Sequence, residues 1–479
     1  MRRLPLFLLL GSVLVVTALR IALVRAGPDL DSDSYGHAII GRTLLANWSD
    51  VRQHWVWLPL WHFVFTGLTF LSAGVTEVRY LNVAVCAALP CVLTALLRVR
   101  DPRGFAPYLG GIFASVFPLW IEHGTSAEPE PWFALLFLGA ALCIEKRRPA
   151  LGGVVFAFAV LLRYEGWAVL PAFALLALLR GRDLRAPLAF LAAPVAAIAF
   201  WCIMHQRATG EWLQFVRLNR EFVVEARSHN DGSGPEQTVY WYAATLPYRE
   251  IGWTALLAPV GLWGLVRRRQ LGVLVPGVWL LGFVTYGWVR GQHLGLDRHF
   301  FTIVPLYAAA LGYGPETVVR LLRAWAPLRA LVLPGLGTVA VAAWALFAVI
   351  RSYSWPAYER GLVWHRAAFL PEREAAAALA TAPPGAVFCD LPRVEIFSRL
   401  PPARFVRWNV ADVGLENARG EARSEGRGRA YVVSRNDKFS KLNDEMAHDA
   451  APGGGQRWLL RGTEVSVLEV DAPAAAALP

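Results

Sequence analysis

Charge is what this chain is short of: Asp, Glu, Lys and Arg make up 17% of its 479 residues, against about a quarter in a soluble globular protein. That 56% of the residues are hydrophobic argues against a water-soluble fold. Cysteine is scarce as well. Cys86, Cys91, Cys143 and Cys202 fall inside apolar runs and Cys389 stands alone in the polar C-terminal part, so no disulfide framework is expected. A Walker A loop, a G-x-S-x-G elbow and a dinucleotide fingerprint are all missing. His54, His62, His123, His293 and His299 are scattered without the i, i+4 spacing of a helical metal site.

What is present is a series of apolar runs of spanning length. They lie at roughly 5–25, 80–97, 105–121, 131–144, 150–162, 166–179, 186–204, 251–266, 271–289, 300–316 and 329–350. This predicts a polytopic α-helical membrane protein with about eleven transmembrane helices. The run after Arg2 and Arg3 reads as a retained first helix rather than a signal peptide, being long and containing Arg20. The net charge of +11 comes from short basic clusters between the runs. That pattern marks cytoplasmic loops and argues against a nucleic-acid partner.

A twelfth apolar run, 56–74, decides the topology. If it does not cross, the clusters Arg98/Arg100/Arg103, Lys146/Arg147/Arg148, Arg180/Arg182/Arg185, Arg267/Arg268/Arg269 and Arg320/Arg323/Arg329 all stay on the cytoplasmic side with the N-terminus. If it crosses, all five are translocated. Trp55, Trp57, Trp61, His54, His62 and Pro59 crowd its first half, so the run is expected to be re-entrant or to lie along the outer surface. Residues 36–48 read as an amphipathic helix on the membrane.

Beyond residue 350, Pro and Gly punctuate strand-like runs at 386–389, 430–433 and 465–468. The expected division is a membrane domain over 1–350 and a small extracytoplasmic α/β domain over 351–479. Within the latter, 416–429 is expected to be a mobile loop and the end after Pro473 to be disordered.

This topology collects acids at the external face: Asp31 and Asp33 beside Tyr35, then Glu128 and Glu130, then the turn Arg163-Tyr164-Glu165, then Arg298-His299. Any one of these acids taken singly is more often a helix cap or an arginine partner than a catalytic group. Their convergence beside Arg163 and Arg298 suits an anionic substrate whose other end needs a base.

In these residues the chain resembles the GT-C class of membrane glycosyltransferases, which includes protein O-mannosyltransferases, lipid A aminoarabinose transferase and the oligosaccharyltransferase catalytic subunit. The resembling motifs are Asp31-Ser32-Asp33-Ser34-Tyr35, Trp57-Leu58-Pro59-Leu60, Thr125-Ser126-Ala127-Glu128-Pro129, Leu162-Arg163-Tyr164-Glu165-Gly166 and Arg298-His299-Phe300-Phe301, across about the first 310 residues. Where the family pattern often has an acid directly after the first-loop Asp, this chain has Ser34.

The resemblance implies a hexosyl- or pentosyltransferase that takes a polyprenyl-phosphate sugar and passes it to a protein, lipid or glycan acceptor. It gives Asp33 the role of base, with Asp31 the alternative, and puts Glu128 and Glu130 in the same site. Arg298 and Arg163 would bind phosphate. Tyr35, Tyr164, Glu165 and His299 would line the substrate site. A divalent cation, if used, would be Mg or Mn on Asp31, Asp33 and Glu128. The implied setting is the plasma membrane, with the C-terminal domain outside. Two rivals are a secondary transporter, which would place its charges near the bilayer midplane and show repeats, and a membrane polymerase or ligase of surface polysaccharide.

Overall fold

The computed structural model describes residues 4–71, 74–228, 238–324, 334–389, 391–401, 404–407, 429–435, 456–461 and 464–471. It divides into two compact units, Met1–Asp29 with Thr43–Arg366, and Leu30–Arg42 with Ala367–Pro479. The first unit runs on to Arg366, and the segment Leu30–Arg42 is grouped with the second. Of the loop expected at 416–429, residues 416–428 lie outside the described residues and Arg429 begins a strand; the end after Pro473 also lies outside the described residues.

In the first unit each apolar run is helical, though of varied length. The helices Leu4–Ala26, Val75–Arg98, Arg185–Thr209 and Leu271–Val289 and a stretch within Leu336–Thr381 are long and apolar enough to cross a membrane. The pair Pro118–Thr125 and Glu130–Glu145 is apolar enough to count as a sixth when taken together, and is bent by 119° between its halves, as a broken span or a re-entrant loop is. The expected count of eleven is larger than this, because several of the expected runs form helices too short or too charged to meet the same measure. Run 105–121 is broken before Pro118 into Ala106–Ser115 and Pro118–Glu122, and run 150–162 is the twelve-residue helix Pro149–Val160.

Run 56–74 forms the helix Pro59–Phe70, which at 1.5 Å per residue is about 18 Å long and too short to cross alone. Trp61, His62 and Phe65 on it are buried, so its aromatic face packs inward. Expected helix 36–48 is Ser32–Ala46, and its Tyr35, Ala38, Ile39, Ile40 and Leu44 are buried in the protein, unlike a helix resting freely on lipid.

Small residues let these helices touch. A Cβ on Gly153 would lie 2.1 Å from the Phe190 carbonyl oxygen, and one on Gly261 would lie 1.8 Å from that of Ala310. Both positions therefore admit only glycine at this separation.

The basic clusters gather at one end of the unit. Glu145 takes Arg100 Nε at 3.1 Å and Arg180 Nη2 at 2.6 Å; Arg180 reaches the Arg269 carbonyl at 2.9 Å. Arg268 and Arg320 share Glu316. Arg329 lies outside the described residues. The acids Glu130 and Glu165 begin the helices Glu130–Glu145 and Tyr164–Gly181, so they stand at the other end. Arg163 to Arg180 along the second helix is roughly 25 Å, close to the hydrocarbon thickness of a bilayer.

The second unit holds a five-stranded sheet, β1 Ala386–Cys389, β2 Phe405–Arg407, β3 Arg429–Arg435, β4 Gln456–Arg461 and β5 Val465–Asp471, in the order β2-β1-β3-β5-β4. The first three are parallel, while β5 runs antiparallel to β3 and to β4. Ala375, Leu379 and Val394 from two helices cover Val387, Tyr431, Val433 and Val467. In segment 30–42 Tyr35 packs edge-on against Phe397, with the guanidinium of Arg393 over its ring.

Candidate active site

The break between Pro118–Thr125 and Glu130–Glu145 forms a loop whose backbone is pinned from all sides. Pro129 and Pro131 favour a helix start there. Arg79 Nε donates to the Thr125 carbonyl at 2.7 Å, and Asn82 Nδ2 donates to the carbonyls of Ser126 and Glu128 at 2.6 and 2.8 Å. Trp132 Nε1 donates to Asn82 Oδ1 at 2.8 Å, which fixes the amide orientation. Trp61 Nε1 donates to the Ala127 carbonyl, and the Ala127 N–H donates to Asp29 Oδ2 at 2.6 Å. Glu128 and Glu130 are therefore carried on a rigid loop.

Beside it, the turn before Tyr164–Gly181 supplies Arg163. Its Nη1 donates to Glu130 Oε1, while Nη2 and Nε grip Glu165 at 2.7 and 3.2 Å. His299 Nδ1 lies 3.1 Å from Glu165 Oε1, and Arg298 Nη1 is 3.7 Å from Glu128 Oε2. The structure thus brings Glu128, Glu130, Arg163, Glu165, Arg298 and His299 together in the first unit. Glu130 Oε2 is buried without a hydrogen-bond partner. Tyr164 donates its hydroxyl to the Val56 carbonyl at 2.6 Å, which anchors the turn to run 56–74.

The loop bearing Arg298 is held on its outer side by Arg249, which pairs with Asp297 and approaches Glu250 at 3.7 Å. Burial, and next the charge of Glu122, pushes Glu250 up to about 7. His293 donates Nε2–H to the Val284 carbonyl and accepts at Nδ1 from the Gly295 N–H, which selects its neutral tautomer. Burial, then neighbouring His299, pushes it down to about 4. Burial also lowers His299, against the opposing pull of Glu165. At the start of run 56–74, His54 and His62 meet Nδ1 to Nδ1 at 2.8 Å, and burial brings His54 down to about 4.

Asp31, Asp33 and Tyr35 lie in the second unit. Asp31 Oδ1 accepts the Asp33 N–H at 3.0 Å, the bond of an N-cap at the start of Ser32–Ala46. Asp33 follows in the first turn, partly exposed. Tyr35 is 1% exposed. Among the described residues no three His, Cys, Asp or Glu side chains form a metal-ligand group. Of the residues expected to hold Mg or Mn, Asp31 and Asp33 belong to the second unit and Glu128 to the first, and no step below runs through a metal.

Known structures resemble this architecture over its whole length. ArnT from Cupriavidus metallidurans in the apo state aligns over 98% of this chain and 99% of its own, with a TM-score of 0.61 at 13% identity. ArnT bound to undecaprenyl phosphate aligns over all of both chains with a TM-score of 0.63 at 14% identity. The fold is that of the GT-C glycosyltransferases. The oligosaccharyltransferase of Archaeoglobus fulgidus matches at a TM-score of 0.52 and 12% identity, over 89% of this chain and 69% of that one. No family model and no curated protein matches the sequence.

Within this GT-C fold the residues that sequence reasoning missed are the supports: Asp29, Trp61, Arg79, Asn82 and Trp132. Asn82 carried a signal, since it interrupts the apolar run 80–97, where polar side chains are costly unless they serve a purpose, and Arg79 stands just before that run. Nothing in the sequence connected them to a loop more than forty residues away.

Proposed function

We propose that the chain is a membrane glycosyltransferase that moves a sugar from a polyprenyl-phosphate donor to an acceptor hydroxyl at the outer face, with inversion at the anomeric carbon. The observation that carries this reading is the end-to-end likeness to ArnT, one structure of which holds undecaprenyl phosphate. The acid and arginine cluster at one end of the helices supports it.

In the reaction, the acceptor oxygen bonds to the anomeric carbon as the bond from that carbon to the phosphate oxygen breaks. A carboxylate takes the acceptor proton, and polyprenyl phosphate leaves with the electron pair. One displacement inverts the centre, by the logic of a single base activating a single nucleophile. Asp33 is assigned the base. Asp31 is the second choice, two residues away in the same motif.

Arg298 is assigned to the leaving phosphate, its side chain being 19% exposed at 3.7 Å from Glu128. Arg163 is held between two carboxylates, so its part is to orient Glu130, Glu165 and His299, with a lesser share in phosphate binding. A cytoplasmic N-terminus and an extracytoplasmic second unit complete the proposal.

The test is release of polyprenyl phosphate by the purified full-length protein in proteoliposomes, given a panel of polyprenyl-phosphate sugars and an envelope extract as acceptor. Sugar-dependent release is expected. No release from any donor, together with ion-coupled solute uptake, would replace the reading with a transporter.

A further inference from the structure

At the end of the first unit away from the acids, the loops 145–149 and 180–185 enclose a cleft of about 290 Å³. Arg147, Arg180 and Arg185 line it, with Asp183 as the sole acid. Asp183 is not their counter-ion, because its Oδ1 accepts the Ala186 N–H at 3.1 Å at the start of Arg185–Thr209. Arg180 has one Nη on Glu145 and the Arg269 carbonyl, but its Nε–H is buried with no partner, in a side chain only 9% exposed. Arg147 and Arg185 pair with no acid among the described residues. The cleft is therefore lined by three arginines and one acid that is already engaged.

We infer that this cleft binds the phosphate of an anionic membrane lipid. Two features select that ligand. The lining contains no aromatic ring on which a nucleotide base could stack. Leu184 and Leu188 stand beside it 71% and 66% exposed, placing apolar surface where acyl chains would lie. Arg180 is roughly 25 Å along its helix from Arg163, so the cleft opens at the opposite membrane surface and is separate from the proposed active site. Basic pockets between helices at that surface suit lipid phosphates.

Native mass spectrometry of the full-length protein in detergent, with added phosphatidylglycerol or phosphatidylcholine of matched chains, tests this. The wild type is expected to retain phosphatidylglycerol preferentially. Arg147→Gln/Arg185→Gln should weaken that retention by roughly thirtyfold, given the contribution of each arginine at a membrane surface. Arg147→Lys/Arg185→Lys should restore most of it, and Arg185→Glu alone should lower it if the double variant does not fold. Equal retention of both lipids, or undiminished retention by the folded Gln variant, overturns the site. Displacement of the lipid by an equal concentration of inorganic phosphate overturns its assignment to a lipid.

Discussion

Replacing Arg163 by Met removes the guanidinium from between two carboxylates and leaves both in place. Arg163 is 14% exposed, Glu130 3% and Glu165 13%, so the lost contacts are shielded from water. Glu130 suffers most, because its Oε2 already lacks a partner and the substitution strips Oε1 as well. Glu165 loses two donors and keeps His299. Breaking a buried ion pair from one side costs about 3–5 kcal/mol. At about 2 °C per kcal/mol for a chain of this size, the apparent melting temperature should fall by roughly 6–10 °C.

The triple variant Glu130→Gln/Arg163→Met/Glu165→Gln removes the charges together and should recover most of that loss, because a neutral replacement of a whole buried cluster is often tolerated. Thermal unfolding of both variants in the same detergent is the assay. If the triple variant is as unstable as the single one, packing rather than charge explains the effect. A loss under about 1 kcal/mol in the single variant would show that the network is open to water.

Asn82→Ala removes the two bonds that hold the Ser126 and Glu128 carbonyls and orphans Trp132 Nε1. Expected are a stability loss of about 2–3 kcal/mol and a fall in transfer rate on the order of ten- to a hundredfold, read by melting and by turnover; unchanged turnover would detach the loop from catalysis. The buried histidines predict a pH dependence. His54 and His293 sit near 4 in the folded state and near 6.5 unfolded, so the unfolded chain binds more protons between these values. Stability is then full above pH 6.5 and lost as pH falls toward 4, by up to about 3 kcal/mol for each group. His293→Gln should flatten melting temperature against pH in that window, and an unaltered slope would contradict the assignment. Asp31→Ala should weaken the start of Ser32–Ala46 by about 1 kcal/mol, while turnover per folded molecule persists.

Much of the architecture is legible in the sequence because hydropathy and charge act locally. The apolar runs are helical over most of their described residues, and contacts among Glu145, Arg100, Arg180 and Arg269 gather the basic loops at one end. Strands 386–389, 430–433 and 465–468 are legible from β-branched and aromatic residues, while β2 and β4 are short or irregular and escaped. Convergence of Glu130, Arg163, Glu165 and His299 could be argued from sequence, since all four stand at helix mouths on one side. The grip of Asn82 and Trp61 on the 126–128 backbone could not, because nothing local encodes a side chain's distant partner. The grouping of 30–42 with the C-terminal sheet was equally hidden, resting on Tyr35 packing against Phe397, more than three hundred residues away.

The most direct test of the central claim is sugar transfer by Asp33→Asn in the full-length protein, measured as polyprenyl phosphate released from the donor that the wild type accepts. The account predicts that release falls to background while yield and melting temperature match the wild type. Wild-type turnover in Asp33→Asn would contradict it.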